Sequence, residues 1–251
     1  MSKIFLSVVI PCFDEMANLQ KGVLQKVERF LSSKKFSFEV IIVDDGSGDG
    51  SIEYMEKFAS ENKEFRLVKN AHLGKAGAVT AGVLAAKGEY VLFTDMDQAT
   101  PIEEIDKLLR NVEGYEVVIG SRNTRRKNSP WTRVIMSRVW MILRSTVVGL
   151  SEISDTQCGF KLFRQDAARS IFGFLNTLHH GYRKKSGSSV TAGFDVELLF
   201  VADKMGYKIK EVPVEWLYVE TRRVNPIKDS LEGIADLWRI KKNDVSGKYS
   251  V

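Results

Sequence analysis

Short apolar runs alternate with longer stretches of helical periodicity through the N-terminal half of this chain. Runs at 5–11 (FLSVVIP), 38–43 (FEVIIV), 65–68 (FRLV) and 90–93 (YVLF) are rich in β-branched and aromatic residues, as in strands buried on both faces. After the first run, Phe13-Asp14-Glu15 opens a predicted helix that continues to Leu31, with Leu19, Val23, Leu24, Val27, Phe30 and Leu31 near helical spacing. A second helix is expected over 51–61, with Ile52, Met55 and Phe58 on one face. A third, made of small residues, is expected over 78–86, after a glycine-rich loop at 73–77. Strand–helix alternation of this kind predicts an α/β fold with a mostly parallel central sheet and right-handed crossovers. Further on, 131–150 and 226–242 read as amphipathic helices, and 212–219 as a strand.

Alternation also places three polar loops, at 13–15, 44–47 and 95–97, on the carboxyl edge of one sheet, where ligands of open α/β folds collect. In an extended chain Asp95 and Asp97 point the same way while Met96 turns back. Two carboxylates so placed suit Mg²⁺ or Mn²⁺ shared with substrate phosphates. The same loop also reads as an acidic cap on the next helix, with Thr100 and Pro101 as N-cap and first-turn residues. Asp44 and Asp45 can accept hydrogen bonds from a ribose or base. Neither G-x-G-x-x-G nor G-x-x-x-x-G-K-[ST] occurs, which disfavours dinucleotide and P-loop folds.

Composition narrows the field further. The chain has 251 residues, 44% hydrophobic and 27% charged, enough for one large domain with a substantial core. No secretory signal and no run of about 20 apolar residues is expected to carry it into or across a bilayer. Cys12 and Cys158 are far apart in apolar contexts, so buried free thiols in a reducing cytosol are expected rather than a disulfide. With three histidines and no Cys/His spacing, no structural zinc site is expected. A net charge of +5 points to anionic partners. The marks of a nucleic-acid binder are missing, so no nucleic-acid partner is expected. Nothing in the pattern fixes an oligomeric state.

The ordered set IPCFDE at 10–15, VDDGSGDGS at 43–51, LGKAGAVTAG at 73–82, TDMDQATP at 94–101, GSR at 120–122 and DTQCGFKLF at 155–163 resembles the inverting family 2 glycosyltransferases of the GT-A fold. Within them the chain resembles the polyprenyl-phosphate sugar transferases. GFDVELLFVADKMGYKIKEVPVEW at 193–216 is most similar to the dolichyl-phosphate β-glucosyltransferase group. The resemblance implies a GT-A (Rossmann-like) domain over 1–220, with a nucleotide-sugar half (1–120), an acceptor half (121–220), and a C-terminal loop and amphipathic helix over 221–251. It also implies roles. Pro11, Phe13 and Glu15 would line the nucleoside pocket, and Asp44 and Asp45 would hold the base or ribose. Lys75 and Gly77 would approach the donor's phosphates, and Asp95 and Asp97 would hold the metal. Arg122 and Asp155 would face the sugar or acceptor phosphate, with Arg222 and Arg223 clamping phosphates from a mobile loop. Two departures stand out. Mannosyl members often carry a metal-binding glutamine where this chain has Ala99, with Gln98 one place early. The familiar membrane-spanning segments of relatives are not seen either.

The implied reaction moves glucose from UDP-glucose, the best-matching donor, to a polyprenyl phosphate with inversion. A phosphate acceptor is already anionic and needs little base; a hydroxyl acceptor would need one, for which Asp195 is the first candidate and Asp155 the second. Asp195 reads equally as an acidic first-turn residue ahead of core Val196, Leu198, Leu199 and Val201. Two alternatives stay open: a soluble transferase acting on a glycan or protein hydroxyl, and a silent sugar-nucleotide-binding module. The basic stretch after His179-His180, at 183–189, reads as a solvated loop or a lid. The chain is expected in the cytoplasm, peripheral to a membrane face. Arg133, Ser137, Trp140 and Arg144 would form one basic stripe of an interfacial helix, and Ile227, Leu231, Ile234, Leu237, Trp238 and Ile240, ending in Lys241-Lys242, another apolar face. The alternative is that both faces pack on the protein's own core.

Overall fold

The computed structural model describes residues 3–122, 141, 143–182, 192–217 and 226–250. Seven strands form one sheet: β1 (Leu6–Cys12), β2 (Phe38–Asp44), β3 (Phe65–Lys69), β4 (Tyr90–Thr94), β5 (Val117–Ser121), β6 (Phe160–Arg164) and β7 (Ile209–Pro213), in the order β3-β2-β1-β4-β6-β5-β7. β1 pairs in parallel with β2 and β4, β2 with β3, and β5 with β7; β6 is antiparallel to both β4 and β5. The expected mostly parallel sheet is therefore present. Its antiparallel member comes from the DTQCGFKLF stretch. One sheet thus draws on both segments that the sequence divided at residue 120.

Side chains alternate across this sheet. Val9, Ile41, Val43, Phe93 and Ile119 enter one core with α4 (Gly74–Ala85), α6 (Gln165–Leu178), α7 (Ala192–Lys204) and α8 (Pro226–Val245). Val8, Ile10, Val40, Ile42, Leu92 and Val118 enter the other, covered by α2 (Val23–Ser32), α3 (Ser51–Glu61) and α5 (Ile105–Leu109). Strands buried on both faces carry no polar alternation, which is why they read as continuous apolar runs. In α2 the buried Leu24, Val27 and Leu31 recur every three to four residues and bring that helix onto the sheet.

Several boundaries differ from the sequence expectation. The helix expected from Phe13 to Leu31 is two helices, α1 (Met16–Gln20) and α2, broken at Gly22, whose φ of 79° is left-handed. Periodicity carries across such a break because both pieces bury the same side. The glycine-rich stretch is not a free loop: α4 already begins at Gly74, so Lys75 and Gly77 lie in its first turn. β7 ends at Pro213, short of the predicted 212–219 run. Pro101 precedes a short 3-10 helix, Ile102–Glu104, with no side-chain cap bond. Of the proposed 131–150 interfacial helix, 131–140 and 142 lie outside the described residues. The part that is described contradicts a lipid-facing basic stripe at Arg144. Its side chain is buried, bonded to the Ile153 carbonyl and, at 3.1 Å, to Thr156 Oγ1, while Val148 joins the core beside it. Arg144 caps the backbone after its own helical stretch, a role that spacing alone does not reveal. No helix among the described residues is long and apolar enough to cross a membrane.

Candidate active site

β1, β2 and β4 run parallel, so their carboxyl ends bring the loops at 13–15, 44–47 and 95–97 to one edge, as expected. The first two are laced together. The Asp14 N–H donates to Ser47 Oγ (3.0 Å), Gly48 N–H to Asp14 Oδ1 (2.8 Å), Glu15 N–H to Ser51 Oγ (3.1 Å) and Met16 N–H to Asp49 Oδ2 (3.0 Å). Asp14 holds a left-handed φ of 52° within this lacing. Pro11 is half-buried at the end of β1, and the Phe13 ring stacks on His72 with centroids 4.5 Å apart.

The acid pair after β2 faces inward. Asp44 is buried and accepts from Gly46 N–H at 2.9 Å. Asp45 accepts from Asn70 Nδ2 and Leu73 N–H through Oδ1, each at 2.8 Å, and from Gly74 N–H through Oδ2 at 2.7 Å. Those bonds tie β2 to the first turn of α4, which presents Lys75. Asp45 thus organises this corner through one side-chain amide and two backbone N–H groups. Asn70 and His72, which do this with it, were not singled out from the sequence; a polar pair just ahead of the glycine-rich stretch was the available signal.

Lys75 reaches from α4 to β4. Its Nζ lies 2.7 Å from Asp95 Oδ1 and 5.3 Å from the Phe93 ring centre. Burial alone would pull this ammonium down, but Asp95, then Asp195, more than offset that and hold it above the ordinary lysine value. Asp97 accepts from Ala99 N–H at 3.0 Å, and its carboxyl is pushed up by burial first and by the Asp95 charge second. Two oxygen-donor carboxylates, one of which pushes up the other's proton affinity, fit a hard divalent cation, which would relieve that repulsion. Gly159 supports the fit: a Cβ there would overlap the Asp95 carboxylate, so its absence gives that group its place. No cluster of three or more His, Cys, Asp or Glu that could hold a metal forms among the described residues, so donor phosphates would complete the shell. Gln98 turns its amide inward to Thr94 and the Asp95 carbonyl.

Arg122 leaves the end of β5 and meets Asp155 bidentately, Nε to Oδ2 at 2.7 Å and Nη2 to Oδ1 at 2.8 Å, with its backbone N–H adding a third bond at 3.0 Å. Burial would raise the Asp155 carboxyl, but Arg122 outweighs it and holds the group below the usual carboxylate range. Glu211 on β7 fixes Asp155 from behind, accepting from its N–H at 2.8 Å, and the Trp216 ring lies 5.9 Å from the guanidinium carbon. Asp195 lies in the first turn of α7 and is engaged by Lys161 of β6, Nζ to Oδ1 at 2.5 Å. The structure therefore brings Lys75, Asp95, Asp97, Arg122, Asp155 and Asp195 to one edge. Arg222 and Arg223, and the basic stretch at 183–189, lie outside the described residues. Both cysteines are free and buried, as expected, and burial pushes the Cys158 thiol up to about 11.

A mixed sheet with a carboxyl edge carrying paired acids and anchored cations is the architecture of a GT-A transferase. The chain belongs to glycosyl transferase family 2, whose family model matches residues 7–172, and it is a glycosyltransferase. It is 32% identical to the dolichyl-phosphate beta-glucosyltransferase of Dictyostelium discoideum over 269 residues, spanning 99% of this chain and 77% of that protein. It is 31% identical to the Saccharomyces cerevisiae protein of the same name, spanning 98% and 77%. Mannosyl-3-phosphoglycerate synthase from Rubrobacter xylanophilus shares the fold with a TM-score of 0.65 at 15% identity, over 99% of this chain and 76% of that one. Glucosyl-3-phosphoglycerate synthase from Mycobacterium tuberculosis, solved with UDP, shares it with a TM-score of 0.60 at 19% identity, over 95% and 80%. The family expected from the motifs is the one found.

Proposed function

We propose that this glycosyltransferase moves glucose from UDP-glucose to a polyprenyl phosphate with inversion. The observation that carries the reading is the near full-length similarity to dolichyl-phosphate beta-glucosyltransferases together with the paired acids and cations gathered at one sheet edge. The nucleoside would lie between the Pro11–Glu15 loop and the Asp44–Asp45 turn, and its diphosphate would approach Lys75 and the Gly77 turn of α4. Asp95 and Asp97 would hold Mg²⁺ or Mn²⁺, which offsets charge growing on the leaving diphosphate. Arg122, fixed in orientation by Asp155, would meet the acceptor phosphate, joined by Arg222 and Arg223.

The engagement of Asp195 by Lys161 favours a phosphate acceptor over a hydroxyl. The Asp195 carboxylate already accepts a bond from the buried Lys161 ammonium at 2.5 Å, and a phosphate monoester needs no proton removed before it attacks. We further infer an anionic lipid surface as the protein's resting place. α8 buries Asp236, Leu237 and Ile240 while exposing Leu231 (64%), Ile234 (36%) and Trp238 (63%) along one stripe, with Lys241 and Lys242 exposed beside it. An apolar stripe flanked by lysines fits a bilayer interface at a cytoplasmic membrane face.

The experiment supplies radiolabelled UDP-glucose, a polyprenyl phosphate and Mg²⁺ or Mn²⁺, and follows label into organic extract. Label in a mild-acid-labile lipid, abolished by chelator and lowered by orders of magnitude in Asp97→Asn, supports the reading. Label confined to water-soluble glycan overturns the acceptor, and full activity in excess chelator overturns the metal.

A further inference from the structure

Lys161 is the one charged residue of a strand that is otherwise apolar until Arg164. Its register partners are Phe93 on β4 and Ile119 on β5, both in the core shared with α4 and α7, so the ladder holds it mid-sheet with a fully buried side chain. Its Nζ donates to the Cys158 carbonyl (2.6 Å) and to Asp195 Oδ1 (2.5 Å), and sits 5.4 Å from the Phe93 ring centre. Lys75 approaches the same ring at 5.3 Å while bonded to Asp95. Two lysines therefore converge on one aromatic ring, each neutralised by its own aspartate.

The fold alone does not ask for an ammonium here. A buried ion pair is weak evidence for stability, because an apolar side chain of similar volume often does as well in its place. What such a pair supplies is a fixed geometry, at a site where geometry matters. Asp195 begins α7, where the helix N-terminus already favours a carboxylate. Gly193, two residues earlier, donates its N–H to Asp236 of α8 at 2.9 Å. The α7 terminus is thus pinned by α8 on one side and by Lys161 on the other. The Asp195 charge acts on both Lys75 and Arg122, the two cations assigned above to the donor and acceptor phosphates.

We propose that Lys161 is a positioning residue for glycosyl transfer: its buried ammonium fixes the Asp195 carboxylate at the mouth of α7, opposite Lys75, and so sets the alignment of the site's cations. The role rests on the proposed function for the identity of the phosphates, but not for the existence of the pair. Lys161 touches neither donor nor acceptor in this assignment; it acts through Asp195.

The test compares Lys161→Met, Lys161→Arg, Asp195→Asn and the Lys161→Met/Asp195→Asn double variant. Thermal unfolding reads the pair alone: each single charge deletion lowers the midpoint, and the double variant regains most of the loss. Titration with UDP reads donor binding, expected within about threefold of wild type in the double variant, because Asp95 and Lys75 are intact. Turnover is expected to fall about 10²-fold in Lys161→Met, as for misplacement of a group by about 1 Å. It is expected to stay low in the stable double variant and to recover partly in Lys161→Arg. Wild-type turnover in the double variant, or turnover in Lys161→Met that falls only as far as its UDP binding does, overturns the proposal. If wild-type protein makes no glycolipid but releases UDP, only the acceptor assignment falls. The same variants are then compared on UDP release, where equal rates in Lys161→Met and wild type overturn the positioning role.

Discussion

Replacing Arg122 by alanine removes both side-chain bonds to Asp155 while leaving that carboxylate buried, at 7% side-chain exposure, and still tied to Glu211 through its backbone. Breaking a buried ion pair from one side costs about 3–5 kcal/mol. The guanidinium is 24% exposed, so water partly replaces it and the lower end, about 3 kcal/mol, applies. For a domain of this size that corresponds to a fall in Tm of about 6–12 °C at neutral pH. The sign with pH follows from the depressed Asp155 carboxyl. In the wild type the pair's contribution is fully present above the unfolded value of about 3.9 and is lost as pH falls through the lower folded value. In Arg122→Ala burial is no longer outweighed, the carboxyl rises, and acidification costs that variant less than it costs the wild type. The Tm gap should therefore narrow on going from neutral to acid pH. Differential scanning fluorimetry across that range checks it, with Asp155→Asn as the neutral control. A gap absent at neutral pH, or one that stays constant on acidification, would refute the reasoning.

Three further outcomes are expected. Gly159→Ala should cut turnover about 10²-fold with near-native circular dichroism, because its Cβ displaces the Asp95 carboxylate; wild-type kinetics would contradict that packing. Tyr249→Phe should cost about 2 kcal/mol in urea unfolding, since the hydroxyl donates to the buried Glu197 carboxylate at 2.5 Å; an unchanged midpoint would show the tail to be dispensable. Leu231→Ser/Trp238→Ser should reduce flotation with anionic liposomes at low salt while sparing Tm, as both side chains are largely exposed; equal flotation would remove α8 from the membrane assignment.

How far the sequence could be read follows from what each signal depends on. The strands and the edge that carries the loops were legible because burial on both faces leaves an unbroken apolar run, and chain alternation then fixes which ends point together. The D-x-D pair was legible as two acids at a strand end, but not its geometry: β4 stops at Thr94 and 96–97 form a turn, with Asp95 bonded to Lys75 and Asp97 to the Ala99 N–H. The destinies of the other charges were not, since they depend on partners distant in sequence. Arg144 looked like one more basic residue on a helical stripe, yet carbonyls at 153 and 154 recruit it inward. Asp45 read as a ligand-facing acid, and its bonds to Asn70, Leu73 and Gly74, all beyond β3 in the chain, could not be read from its own segment.

Lys161 shows the limit most clearly, and also where a signal was waiting. Within FKLFR, strand alternation puts Lys161 and Phe163 on one face, and Phe163 is a core residue. A lysine forced onto that face must find an anion or lose its charge. The pattern therefore demanded a buried carboxylate without naming it, and several acids reach that edge. Asp195, at the start of α7, is the one that answers. The same reasoning explains why Asp195 invited two readings: its position in the first turn of α7 fits a helix-start acid, while the ammonium brought to it by β6 is what a site carboxylate on this edge would also meet.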